Sequence, residues 1–380
     1  MDIEASRVEL RLAGLDRALR GLWRLGGNAL VGWRPSPAGI AVIVCPIGVL
    51  FAQANAHRRV FVGDRLMGLG TFNKLADALG VAPVDVPLPK PVGAGPGTIA
   101  TAAVERCVAR YAVMRTDQRA VFLIDIAGFS LLSPEEQAAQ LATLGYAINL
   151  AEARATERGL PVDLARSTTG DGYYLWNRRK GRDADAALFA LFTLALAAHA
   201  RLQPTLSPTG APAIRSAFGI GSHYTYHQRD GMADMSHDYI VGDVTIRLAR
   251  LIEGAARNQI LFADFAHGNY GEDDVVDPLA FIERAAEETV AALADVEIGG
   301  AVVERIAVYL TGPRSDDGGF GVRHIRFLDK HGRHHVACNA KVNVVLRNSP
   351  PLFLGLQDFE VTNFAASARQ GTMMARKAAG

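Results

Sequence analysis

Two aspartates stand where a lone carboxylate is costly. Asp125 closes the apolar run Val121–Ile124 in VFLIDIAGFS, and Asp171 lies between glycines in STTGDGYYLW, Ser167–Trp176. A carboxylate at the exit of a buried strand must be met by a cation or by hydrogen-bond donors. Each has an ordinary reading: Asp125 can cap the helix that follows, and Asp-Gly is a hairpin-turn signal. Together, on neighbouring strands, they could hold two divalent cations against a triphosphate.

Such chemistry needs elements to place it. Val121–Ile124 is short, β-branched and flanked by polar residues, which predicts a buried strand. A small-residue turn, Ala127-Gly128, and the aromatic Phe129 follow. Ser133 with Glu136 has capping-box spacing, predicting a helix through Ala151 and Ala155. Further helices are expected over 183–200 and 243–253, the latter carrying Arg247 and Arg250. Strands are expected over 214–220 and 260–262, and a hairpin over 324–327 and 335–345 around Asp329-Lys330-His331-Gly332. The polar stretch 223–237 reads as a β-arm or loop whose histidines lack helical metal spacing.

Upstream, 8–25 reads as an amphipathic helix, 38–51 and 60–62 as strands, 72–79 and 98–113 as helices, and the Pro/Gly-rich stretch 84–97 as a linker. The tail after Pro350 is Ala-rich and expected to fray.

With 380 residues, 49% of them hydrophobic, the chain can bury a large core in two domains. A net charge of +1 gives no bulk attraction for nucleic acid or a membrane. Three scattered cysteines, without zinc spacing, suggest reduced thiols and a cytoplasmic setting. The acidic start lacks a signal-peptide apolar region. The apolar runs 38–52 and 186–198 read as core elements too short for a membrane span.

The motifs DIAGFS, TGDGYYL, DYIVGDVTIRLARL and ARNQILFADFAH, in this order, resemble the class III nucleotidyl cyclase catalytic domain, over roughly 113–345. The resemblance implies an α+β fold: a ferredoxin-like βαββαβ domain with an added hairpin, preceded by a smaller α/β N-terminal region. The expected divisions are 1–112, 113–350 and a tail at 351–380. It also implies a head-to-tail homodimer with composite active sites and a nucleoside triphosphate as substrate. Two Mg2+ or Mn2+ ions per site would be held by Asp125 and Asp171 with the Ile126 backbone. Backbone N–H groups from Ile126 to Phe129, Gly128 included, would face the phosphates. Arg250 falls at the position of the transition-state arginine, for which a surface ion pair is the plain alternative. Lys330 falls near a phosphate-binding lysine, with Asp329 competing for the position.

The departures from that family concern the base and ribose. The base-reading positions are Ser167 and Tyr239, matching neither the adenine nor the guanine pair, and the ribose-orienting asparagine is replaced by Ile246, which leaves Arg247 as a neighbouring donor. A tyrosine narrows the pocket toward a pyrimidine. The Pycsar antiviral cyclases, which make cyclic UMP or cyclic CMP, look similar in the DIAGFS, TGDGYY and DKHG regions. The favoured expectation is therefore a UTP or CTP cyclase. The alternatives are an adenylate or guanylate cyclase with an unusual base pocket, and a non-catalytic nucleotide-binding or dimerisation module.

Overall fold

The computed structural model describes residues 3–52, 61–95, 98–206, 213–229, 236–265, 267–268, 275–314, 320–329 and 331–361. The chain is α+β and divides into two units. The first comprises 1–116 and 224–241, and the second 117–223 and 242–380.

In the first unit, α1 (Ile3–Trp23) leads to a three-stranded antiparallel sheet of β1 (Asn28–Ser36), β2 (Gly39–Pro46) and β3 (Val84–Pro87), in that order. The strand expected over 38–51 ends at Pro46, whose missing N–H cannot continue a ladder, and α2 (Ile47–Ala52) follows. Of the strand expected over 60–62, residue 60 lies outside the described residues, and Phe61 and Val62 form no strand. Instead the buried Phe61 ring stacks on Phe51 at 5.5 Å and meets Tyr224 edge-on at 5.5 Å. The stretch read as a linker starts with a strand, because Val86 alternates inward against β2 while Pro87 sits at the sheet edge. Helices α3 (Leu69–Leu79) and α4 (Thr101–Ala109) complete this unit's cores.

The second unit is built on a mixed sheet with the strand order β12-β13-β15-β9-β7-β4-β6-β5. Its strands are β4 (Met114–Ile126), β5 (Leu164–Thr168), β6 (Gly172–Asn177), β7 (Ile214–Arg229), β9 (Ile260–Ala263), β12 (Glu297–Ile298), β13 (Ala301–Leu310) and β15 (His334–Arg347). The far half of β7 pairs with β8 (Ser236–Val241), so the arm expected over 223–237 is a hairpin, and it belongs to the first unit. Residues 230–235 of that stretch lie outside the described residues. A minor pair, β10 (His267–Gly268) and β11 (Val275–Val276), precedes α8 (Pro278–Ala285). The C-terminal hairpin is β14 (His324–Leu328) against β15. β16 (Ser349–Leu354) also pairs with β15, so the chain is still in the sheet past Pro350, and both prolines are accommodated on an edge strand. Residues 362–380 lie outside the described residues.

Helices α5 (Pro134–Glu157) and α6 (Arg182–Leu206) cover one face of this sheet. The Ser133–Glu136 capping box is formed in both directions, at 3.3 and 2.9 Å. α6 extends past both ends of its apolar run, and Arg182–Leu202 is long and apolar enough to cross a membrane, contrary to the short run read from sequence. It serves instead as the core helix: Ala184–His199 is buried without a break, and Phe189 and Phe192 pack on Phe218 and Phe262. The opposite face carries α7 (Asp243–Gly254). A Cβ at Gly219 would come within 3.0 Å of Ala263 and 3.3 Å of Leu248, so the glycine is what lets α7 lie close to β7.

Candidate active site

The two aspartates meet on the α7 face. In the β4–β6 ladder Asp125 is paired with Gly172, and the Ile126 N–H donates to the Asp171 carbonyl at 3.0 Å. A Cβ at position 172 would lie 2.0 Å from the Ile124 carbonyl oxygen, so only glycine allows β6 to pass this close to β4 and deliver Asp171 beside Asp125. The Thr169 hydroxyl donates to Asp171 Oδ1 at 3.3 Å.

Asp125 is 6% exposed. Burial pushes its pKa up to about 6, the nearby Asp171 carboxylate adds to the rise, and Arg215 opposes it. Arg215 directs Nε at Asp125 Oδ2 at 2.8 Å, and Nη2 bonds the same oxygen. Sequence reasoning missed this arginine. Its only signal is alternation: Ser216, Phe218 and Ile220 point into the core, which sends Arg215 to the opposite face.

The turn after Asp125 has Gly128 at φ 79°, a left-handed conformation that favours glycine. Of the four N–H groups expected to face phosphates, Ile126 donates to Asp171 and Ala127 donates to the Ala213 carbonyl at 2.8 Å. Gly128 and Phe129 have no backbone acceptor among the described residues, which leaves two N–H groups for an anion. Arg257, also missed, reaches this turn: its Nη1 is 3.8 Å from where a Gly128 Cβ would sit.

Arg250 stands on α7 with Nη1 2.9 Å from Glu253 and Nε 3.9 Å from Asp329 Oδ2. Asp329, which competes with Lys330 for the aligned position, is engaged within its own hairpin turn. It accepts the N–H groups of His331 at 2.8 Å and Arg333 at 2.9 Å, and lies 3.1 Å from His335 Nε2. The Arg333 N–H and the His335 contact hold its carboxyl far below the usual range. Lys330 lies outside the described residues. Tyr174, absent from the expected set, donates to the Thr245 carbonyl of α7 at 3.0 Å. Burial raises its pKa to about 12, against the pull of the Arg250 charge.

The expected base and ribose residues stand on three elements, β5, β8 and α7. Ser167 is half-buried and pairs with Tyr174 across β5–β6. Tyr239 lies on β8, opposite Tyr226, in the first unit, and is 37% exposed. Arg247 donates to the Asp264 carbonyl at 2.7 Å, and Ile246 is exposed.

Two convergent carboxylates are a fitting donor set for Mg2+ or Mn2+, which complete their shells with water and substrate phosphates. Among the described residues no group of three or more His, Cys, Asp or Glu is placed to hold a metal ion. The pair would therefore depend on substrate oxygens to finish the site.

No family model and no curated protein matches the chain. Solved structures similar to it include the guanylyl cyclase Cya2, at 14% identity over 60% of this chain and 92% of that one, with a TM-score of 0.36. The catalytic core of a rhodopsin-guanylyl cyclase with converted specificity, in complex with ATPalphaS, matches at 17% identity over 62% and 98%, with a TM-score of 0.35. The adenylyl cyclase CyaB from P. aeruginosa matches at 15% over 63% and 97%, with a TM-score of 0.33. Likeness of this degree assigns no activity to the chain.

Proposed function

We propose that the chain is a nucleotidyl cyclase that converts a nucleoside triphosphate, UTP or CTP by preference, into a 3′,5′-cyclic mononucleotide and pyrophosphate. The observation that carries this reading is the Asp125–Asp171 pair, brought together by the close β4–β6 approach at Gly172. Cyclisation requires the ribose 3′-hydroxyl to attack the α-phosphate, and divalent ions at this pair would activate the hydroxyl and neutralise developing charge. Asp125 and Asp171 would hold those ions. The free N–H groups of Gly128 and Phe129 orient the phosphate chain. Arg250, which pairs with Glu253 and lies near Asp329, would offer its guanidinium to the reacting phosphate of a site shared with a second copy of the chain. Ser167 and Tyr239 read the base, and the tyrosine ring leaves space for one ring rather than two. An antiviral second-messenger role fits the resemblance to Pycsar cyclases.

A second reading, a non-catalytic nucleotide-binding module, is favoured by one observation: a guanidinium already pairs with Asp125. Incubating the purified protein with each of the four NTPs and Mn2+, and identifying products by mass spectrometry, separates the readings. Cyclic UMP or cyclic CMP supports the proposal, a purine product rejects the base preference, and no product from any NTP rejects the enzyme.

A further inference from the structure

Arg215 has no place in the scheme above, yet it is ion-paired with Asp125. Both Nε and Nη2 converge on one oxygen, Oδ2 of Asp125, instead of forking across both oxygens. Such a side-on pair places the guanidinium on one edge of the carboxylate, and the Asp171 carboxylate stands against Asp125 as well. The pair is sheltered, with the Asp125 side chain 8% exposed and that of Arg215 22%. The strand fixes the arginine there. Ser216 is locked in register, its N–H donating to the Gln259 carbonyl at 3.0 Å, and the following residues on the Arg215 face are Ala217, Gly219 and Gly221. Arg215 is thus followed by three small residues on its face of β7, before His223. Asp171 accepts from the Thr169 hydroxyl at 3.3 Å and lies beside the Asp125 carboxylate. With both carboxylates ionised, the three groups carry a net charge of −1, enough to attract a cation but already part-neutralised.

We infer that Arg215 is a resident cation on Asp125 with which a divalent metal ion must compete, so that metal binding is weakened while the guanidinium is in place. This rests on the metal-dependent reading above. A divalent ion held by Asp125 and Asp171 would compete with the guanidinium for the Asp125 charge and be repelled by it, so each would weaken the hold of the other. A triphosphate resolves the conflict. Its oxygens suit a guanidinium fork, and they would arrive at the Gly128 turn, where Arg257 already stands. The site is thereby tuned to take metal and nucleotide together rather than metal alone.

The test is Mn2+ binding to the full chain without nucleotide, followed by electron paramagnetic resonance at pH 8. Arg215→Met should bind Mn2+ at least tenfold more tightly than wild type. Arg215→Lys, which keeps the charge but loses the fork, should fall between them. Asp171→Asn placed in the Arg215→Met background should remove the gain. Thermal melts of every variant confirm that a folded protein is being compared, and Arg215→Lys supplies a folded comparison if Arg215→Met fails. An affinity in Arg215→Met and Arg215→Lys equal to or weaker than wild type, with Mn2+ binding still sensitive to Asp171→Asn, overturns this inference alone. Absence of any Asp171-dependent Mn2+ binding in wild type and both Arg215 variants overturns it together with the metal-dependent reading.

Discussion

Asp125 carries opposing demands. Burial makes its charge expensive, while the proposed metal ion would need that charge present. Asp125→Asn keeps the shape and removes the charge, so the fold should survive while turnover with Mn2+ falls by at least ~10²-fold, the scale on which a preorganised charge-stabilising group acts. Asp171→Asn should do the same. Steady-state product formation, with circular dichroism as the folding control, checks both, and wild-type turnover in either would remove that aspartate from the site. At this scale the sequence was uneven. Asp125 and Asp171 were legible because a carboxylate in an apolar run and one between glycines break local rules. Arg215, Arg257 and Tyr174 were not, because their roles come from register and packing, which no short motif encodes.

His199 offers a test at the scale of the core helix. It is buried on α6, and burial lowers its pKa to about 4. A folded-state value below the unfolded one means that the unfolded chain takes up the proton first. The contribution is therefore intact above pH ~6.5 and is lost as pH falls from there through about 4, up to ~3 kcal/mol in total. Asp125, with a raised value, acts with the opposite sign in an overlapping window, so the variant comparison is the readout. The stability lost between pH 7 and pH 4.5, from denaturant unfolding, should shrink in His199→Gln. An unchanged loss would mean that the histidine is not held neutral.

Packing at Gly172 is the second test at this scale. Gly172→Ala should cost about 3 kcal/mol or prevent folding, because the new carbon meets the Ile124 carbonyl. Gly145→Ala, in α5 with only the Tyr173 hydroxyl near at 4.0 Å, should be neutral or stabilise by up to ~1 kcal/mol. Urea melts of the two variants decide it, and equal melts would deny the close strand approach. The helices α5 and α7 and the C-terminal hairpin were readable from caps and periodicity. The starts of β3 and β16 were not, since proline suggested linker and tail where an edge strand tolerates it.

For the whole molecule, the proposed composite sites make a quantitative demand. Asp171→Ala and Arg250→Ala, each inactive alone, should recover about a quarter of wild-type activity when mixed in equal amounts. Half the dimers are then mixed, and each of these has one complete site of two. Recovery is measured after subunit exchange has been verified with labelled chains. No recovery would place all the groups of a site within one chain.

The hairpin of β7 and β8 bears on how this protein can be cut. The first unit draws on two separate stretches of chain, because 224–241 belongs with 1–116, and Tyr224 closes an aromatic cluster with Phe51 and Phe61. A deletion ending near residue 116 would leave that hairpin attached to the remaining fragment with its apolar partners gone, an exposed strand pair prone to self-association. The second unit is therefore not obtained with one cut in the gene. It needs a second, replacing 224–241 with a short turn between His223 and Gly242, and N-terminal deletions ending near residue 116 without that second change should yield insoluble protein.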